Sequence, residues 1–576
     1  MVSPPNYQHP TPSGRSADWE VGIGSWGFFA VLVPFVSFVL FMAFVCERRV
    51  VAQAEHGDHG NGGTFGSVHF ENSCSAGAQK QFDRAVAMLH SFFYPETEKA
   101  FRAIVEQEPS CAMGYWGIAI SQRPNPLTAP FPPQLLQQGW SAIQQARAAG
   151  APTQRERDWI DALAPFFESH ETVDQTTRTR RYAAAMERLH QRYPNDSEAS
   201  VFYALALLEA VDLTDKTYAS QLKAAAILER LQKSQPAHPG IVHYIIHAYD
   251  YAPIAAKGLP AARRYATLAP SAPHALHMPS HIFSTLGMWP DAIRTNLAAD
   301  QAARDYAAST SAAAKANPAS VPGRYHALDF LVNAYLQLAQ DRRARAILDE
   351  RNLPVATASG GSITAHTGFA AIPVRYALER YAWSEAAAIP PMDTPFKQAA
   401  AIIYFGRALG AARLGEVSAA RQELSRLSTF RNDLASAGDP YWAEQVAIQE
   451  TAASAWVARA EKDDARAVSL MRDAADREDR SEKHVAMENR LSPMRELLGE
   501  LLLETGRPAE ALREFERSLQ AVPKRFRSLA GAARAAERAG NRRSARSYYE
   551  QLVALAANAD SDRPALVAAR AYIAGR

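Results

Sequence analysis

At 576 residues and 63.0 kDa the chain is too long for one compact core, so it forms either several domains or one elongated array. Its 62 basic and 60 acidic residues are interspersed and leave a formal charge of only +2, which excludes a global field that would draw in nucleic acid or an anionic membrane surface. Alanine beside Leu, Arg and Glu dominates, whereas alternating Val, Ile and Thr are scarce, which predicts an all-α protein rather than a sheet.

Residues 1–20 read as a polar tail. Val21 to Cys46 carries no charge and exceeds the roughly 20 residues that cross a bilayer. Ala52-Gln53-Ala54 has the small-x-small form of a signal-peptidase site, so residues 21–54 are either a cleaved export signal or a retained anchor. Both readings put the rest of the chain outside the cytoplasm, periplasmic or secreted; if uncleaved, the apolar run 21–46 also holds it to the membrane. Glu47, Arg48 and Arg49 pull the other way, since they interrupt a signal and basic residues favour the cytoplasmic side.

Residues 55–75 read as a Gly- and His-rich flexible linker, whose His56, His59 and His69 form either a metal-capturing arm or a solvated tail. Cys74 and Cys111 are the only cysteines beyond the apolar segment. They are either a disulfide, worth about 2–4 kcal/mol, or two separate buried thiols.

From Ser75 onward helical segments alternate with short Pro, Gly and Asp breaks: divergent helical repeats over 76–235 and regular ones over 236–576. The proline-rich stretch Gln122–Ala151 breaks the rhythm and reads as a surface excursion. Gly506, Ala511 and Phe515 recur 34 residues later as Gly540, Ala545 and Tyr549. Gly makes the turn between two helices, Ala lets them approach and the aromatic ring fills the gap behind. The Gly-plus-five-is-Ala grammar returns at Gly287/Ala292 and Gly415/Ala420, with looser copies ending in Ala344 and Ala386.

In these features the chain resembles the tetratricopeptide-repeat (TPR) family over most of residues 76–560. Through Cys111-Ala-Met-Gly-Tyr-Trp, His277-Met-Pro-Ser-His281 and Tyr325-His326-Ala-Leu-Asp329 it also resembles extracytoplasmic bacterial proteins of that family. The resemblance implies an α-solenoid, a right-handed superhelix of helix-turn-helix repeats, behind one N-terminal hydrophobic helix. It also implies a concave groove, lined by the first helix of each repeat, that binds a protein or peptide partner; the narrower resemblance brings no activity with it.

Two histidine pairs, His243/His247 and His277/His281, are each spaced i, i+4, on one helix face, and the pairs lie 34 residues apart. Adjacent repeats therefore bring them opposite one another. Aligning Ala292 with Ala344 sets His326 against His274, Asp329 against His277 and Asn333 against His281; aligning it with Ala386 sets Arg375 against His281. By resemblance these are groove-lining positions. The constellation His243, His247, His274, His277, His281, His326, Asp329 and Arg375 thus reads as a ligand-binding patch on the inner wall.

Three readings compete for it. His243, His247, His277 and His281 converge on one transition metal (Zn, Cu or Ni), with Asp329 or Asp250 as a carboxylate ligand; the imidazoles bind a peptide or small acidic ligand; or they satisfy one another inside the stack. Zincin chemistry is excluded, because Tyr244 and Met278 stand where the general-base Glu belongs. There is no nucleophile elbow, phosphate loop or dinucleotide fingerprint, and the acidic run Asp473–Glu482 beside His484 reads as a solvated face. The chain therefore reads as a binding scaffold before it reads as a conventional enzyme.

Overall fold

The computed structural model describes residues 63–311, 321–350, 362–487 and 489–575. These residues are helical throughout, with no strand among them, and no helix among them is long and apolar enough to cross a membrane. The apolar segment 21–46, the Ala54 site, His56 and His59 lie outside the described residues.

Helix starts are written locally. Ser75, Asp174, Asp196, Asp439, Asp463 and Asn541 cap with their side chains, and Thr153 with Glu156 forms a capping box. The resulting helices pack as successive pairs, from Ala76–His90 with Tyr94–Gln107 to Phe526–Arg538 with Arg542–Leu555, closed by Pro564–Ile573. In each regular pair the first helix is buried nearly all round and the second along one stripe. Every residue of Pro239–Tyr249 and of Arg324–Gln337 is buried, whereas Pro508–Ala521 buries only Ala511, Glu514, Phe515 and Ser518.

The turn inside the pair follows one geometry. Gly287, Gly415, Gly506 and Gly540 take φ between +65° and +80°, and the residue five later, Ala292, Ala420, Ala511 or Ala545, is wholly buried. Four further turns hold this left-handed position without glycine. Phe92, Ala339, Tyr381 and Lys462 have φ of +53° to +68°, followed five residues on by buried Thr97, Ala344, Ala386 and Ala467.

The structure departs from the sequence expectations in three places. Residues 63–75 are not a free linker: Phe65, Val68 and Phe70 are buried, and Ser67 N–H donates to the Ala237 carbonyl at 2.9 Å. Three apolar residues in a polar stretch are enough to dock it. His69 is accordingly placed beside Asp83, at 3.0 Å, rather than on an arm, and Cys74 and Cys111 are disulfide-bonded, tying this segment to the first repeats. The excursion after Gln122 contains the helix Pro133–Ala149, which buries Leu136, Ala142, Ile143 and Ala146. One apolar cluster spans Phe65 to Ala292 and includes Ala334 and Leu338, crossing position 235 without a break.

The third departure concerns the groove, which the chain fills with itself. The connection between Asp464–Glu478 and Met494–Glu504 runs back across the inner helices. Glu482 N–H donates to the Leu213 carbonyl at 2.7 Å, Thr367 Oγ1 to the Ala486 carbonyl at 2.7 Å, and Asn333 Nδ2 to Asn489 Oδ1 at 3.1 Å. Arg375, wholly buried, donates to the Asn489 and Arg490 carbonyls and pairs with Asp329 at 2.9 Å. The C-terminal repeats also meet the middle of the array, where Trp289 Nε1 donates to the Lys524 carbonyl at 2.8 Å.

Phe515 is the wedge of the last regular repeats: a Cβ added at Gly531 would stand 2.3 Å from its ring. Gly531→Ala overpacks this contact and is expected to cost about 1–3 kcal/mol. The check is the urea midpoint of the full chain, which should fall; an unchanged midpoint would mean the ring yields freely.

Candidate metal centre

His243 and His247 project from one turn to the next of Pro239–Tyr249, with Nε2 atoms 3.1 Å apart; His274, on the short helix Pro273–His277, brings its Nε2 to 3.2 Å from that of His243. His277 and His281 straddle the break that Pro279 makes between Pro273–His277 and Pro279–Thr285, yet their Nε2 atoms approach to 3.0 Å. His326, on Arg324–Gln337, completes that second group, its ring 4.9 Å from His277 and 5.6 Å from His281 between centroids. In each triad the three candidate ligand nitrogens lie within 4.8 Å of one another.

The four histidines expected to share one ion therefore divide between two sites, and each pair takes its third member from another element. The triads touch: the His247 and His281 rings are 5.8 Å apart and those of His274 and His277 6.1 Å. Nor do the side chains line an open trough, since five of the six are buried and His274 is half-buried. The segment that fills the groove covers this part of the array.

Partners on the far side of three rings fix the tautomers. His243 Nδ1 donates to the His90 carbonyl at 2.7 Å, and His281 Nδ1 to Asp250 Oδ2 at 2.8 Å. His277 Nδ1 donates to Asn296 Oδ1 at 2.7 Å; the orientation of that amide is set because its Nδ2 donates to the Ala292 carbonyl at 2.8 Å. Each of these oxygens can only accept, so each ring carries a proton on Nδ1, and in neutral His243 and His277 the inward Nε2 is the acceptor nitrogen. Oxygen acceptors behind the ring are the usual outer support of a metal-bound histidine.

Burial pushes the pKa of His243, His247, His274 and His326 well below the ordinary 6.5, and neighbouring imidazoles add to the shift. His277 is pushed down to about 3, by burial first and His281 second. For His247 the next cause after burial is His281, of the other triad. Burial pushes the Asp250 carboxyl up, but Lys483 at 2.8 Å and His281 outweigh it and hold it below the usual range. Asp250 thus stands behind the His281 ring, not on its ligand side. Asp329, also expected as a ligand, is occupied by Arg375 and raised by burial.

An aromatic ring covers each triad. Phe92 lies 4.5 Å from His243, 5.2 Å from His274 and 6.1 Å from His247 between centroids; Phe330 lies 4.8–5.1 Å from His277, His281 and His326. Sequence reading missed both rings, as well as Asn296 and Lys483. The one available signal was Phe330, four residues after His326 on the same helix face.

A third cluster serves as a contrast. Glu198 takes His90 Nε2 at 2.9 Å and His238 Nε2 at 2.7 Å, while His238 Nδ1 accepts from Ile241 N–H at the start of Pro239–Tyr249. Burial raises the Glu198 carboxyl, but the two histidines outweigh it and hold it below the usual range. There every nitrogen meets an oxygen or an N–H of opposite character; in the triads nitrogen meets nitrogen.

Beside the second triad lies a cavity of about 510 Å³ whose lining includes Ser284, Thr285, Asn333 and Lys483. The Asp250–Lys483 pair stands between it and His281, with Thr285 Oγ1 3.3 Å from Asp250.

No family model and no curated protein sequence matches the chain. Among solved structures, it is similar to the one titled "Structure of Naa15/Naa10 bound to HypK-THB", at 11% identity over 86% of this chain and 91% of that one, with a TM-score of 0.25. It is also similar to the human IFIT1 dimer with PPP-AAAA, at 13% identity over 82% and 89%, TM-score 0.36, and to an IFIT1 monomeric mutant with Gppp-AAAA, at 12% over 77% and 90%, TM-score 0.34. Likeness at this level carries no argument, and the helical-repeat architecture rests on the paired helices themselves.

Histidines that stay neutral in the folded chain and ionise when it unfolds tie stability to pH. Their folded pKa lies below the unfolded value near 6.5, so their contribution is complete above pH 6.5 and is lost as pH falls toward the folded values, about 3 for His277. The metal-free chain should lose about 1.4 kcal/mol per pH unit for each such histidine below that point. Urea midpoints at pH 7.5 and 5.5 check this, a pH-independent midpoint being the contrary result.

Proposed function

We propose that this chain is a helical-repeat metalloprotein that holds two transition-metal ions side by side, one on His243, His247 and His274 and one on His277, His281 and His326. The observation that carries the reading is the convergence of three imidazoles in each triad, with candidate ligand nitrogens within 4.8 Å of one another and oxygen acceptors on Nδ1 of His243, His277 and His281. A metal ion at about 2.0–2.1 Å from each nitrogen fits between rings held this close.

All-nitrogen donors select zinc, copper or nickel over magnesium or calcium. Three protein ligands leave a coordination position open, the arrangement of a reactive rather than a closed structural centre. In this reading the repeats form the frame of a centre, and the interaction-scaffold role expected from the TPR resemblance falls to their outer surface. The Cys74–Cys111 bond favours an oxidising compartment, in keeping with export by residues 21–54.

The test is elemental analysis of the full chain, purified in detergent without chelators or a His-containing tag. Two equivalents of one metal are expected, falling to one in His326→Gln and to none at the second site in the His277→Ala/His281→Ala double variant. Asp250→Asn should weaken binding about 10–100-fold while the far-ultraviolet spectrum stays unchanged. A metal-free wild-type chain that also takes up no added zinc, copper or nickel would leave the histidines a structural role only.

A further inference from the structure

We infer that the cavity of about 510 Å³ is a binding site for a neutral polyhydroxylated molecule, a sugar of one or two rings. The site goes beyond the metal reading and does not depend on it, because the Asp250–Lys483 pair separates the cavity from the second triad.

The volume falls within the range of about 300–1,000 Å³ of small-molecule sites. Its walls come from distant parts of the chain, the helices Pro279–Thr285 and Arg324–Gln337 among them, and the segment after Glu478 is laid across these. The charge of the ligand follows from pairing. Three ion pairs lie within the wall, Lys216–Glu482 at 2.6 Å, Arg490–Glu478 at 2.8 Å and Arg495–Asp479 at 2.7 Å. The other basic side chains bordering the space, Lys483, Arg517 and Arg525, face Asp250, Glu514 and Glu496 outside the lining. A charged ligand would have to break one of these pairs or bring in its own charge unmatched, and both are costly away from bulk water. A neutral hydroxylated ligand instead uses the N–H groups and oxygen lone pairs that the pairs leave over.

Two groups on lining residues call for such a partner. Asn489 Oδ1 accepts from Asn333 Nδ2 at 3.1 Å, which leaves Asn489 Nδ2 a donor with no partner among the described residues. Ser284 Oγ, on a residue 3% exposed, has none either. Buried polar atoms are rarely left so. A hydroxyl both accepts and donates, and so suits each of them. Ala252, Pro253 and Val522 give the same space apolar faces for the C–H groups of a sugar ring. Tyr218, whose hydroxyl donates to Glu482 at 2.7 Å, adds an aromatic ring held in place at the wall.

The test is calorimetric titration of the full chain, in a detergent without a sugar headgroup, with glucose, sucrose and maltose, and with succinate and glutamate as charged counterparts. One equivalent of at least one sugar is expected to bind, with and without added zinc, and more tightly than either acid. Ser284→Ala and Asn489→Ala, with wild-type circular dichroism, should each weaken sugar binding about 10-fold. Ala521→Trp, at an exposed position of the lining, should abolish it by filling the space while metal content stays at the wild-type value. No heat with any of the three sugars, tighter binding of succinate or glutamate, or sugar binding unchanged in all three variants would overturn the assignment. Metal content read on the same samples keeps the two readings apart: a metal-bearing chain that binds no sugar removes only the cavity assignment, and a sugar-binding chain that takes up no metal removes only the two-site reading.

Discussion

Everything at the centre of this molecule answers to one constraint: imidazoles taken out of water and packed nitrogen against nitrogen must find partners for both ring nitrogens. Burial and mutual repulsion among the imidazoles hold His243, His247 and His277 uncharged at neutral pH. The side of each ring that could have compensated by turning over is tied, at His243 by a carbonyl, at His277 by an oriented amide and at His281 by a carboxylate. The fold thus holds the rings close together and in fixed orientations. Such pre-organisation is what a tight metal site requires.

The repeat architecture supplies it by stacking. A helix buried on all sides, as Pro239–Tyr249 and Arg324–Gln337 are, has no solvent-facing stripe on which a polar side chain can escape. Polar groups on it must be matched from neighbouring elements. The next repeat delivers one such match, Asp329 with Arg375; the C-terminal repeats deliver another, Gln337 with Phe526 N–H; and the segment after Glu478 delivers a third, Asp250 with Lys483. The segment after Glu478, laid across the inner helices, seals the arrangement and leaves only a limited cavity beside it.

Much of this was legible in the sequence, and the remainder was illegible for identifiable reasons. Gly506 and Gly540 with their alanines announce the repeat because the period there is 34. Between the turns at Gly287 and Ala339 it is 52, and at Phe92 and Lys462 the glycine is absent although the backbone is the same. The pairing of His243 with His247 and of His277 with His281 follows from helical spacing. Their division into triads does not, because spacing gives the face of a helix and not the direction of a nitrogen. His274 and His326 were recognised as neighbours of the cluster, yet their assignment to separate triads depends on the break at Pro279 and on helix packing. The filled groove was beyond reach for a similar reason: residues 482–490 are polar and unremarkable in composition, and partners 114–269 residues away give them a place.

Phe92 occupies the turn position that glycine takes in four other repeats, at a cost of about 1–2 kcal/mol for a residue with a Cβ. Its ring lies over His243, His247 and His274, so the backbone can relax only by uncovering the triad. The first helix pair and the first site are therefore thermodynamically linked. Whatever binds there gains free energy that resists fraying of the chain's described N-terminal end, and whatever frays that end loosens the ligand by the same amount. The two-helix unit nearest the start of the described fold thus serves as a latch on the first histidine triad.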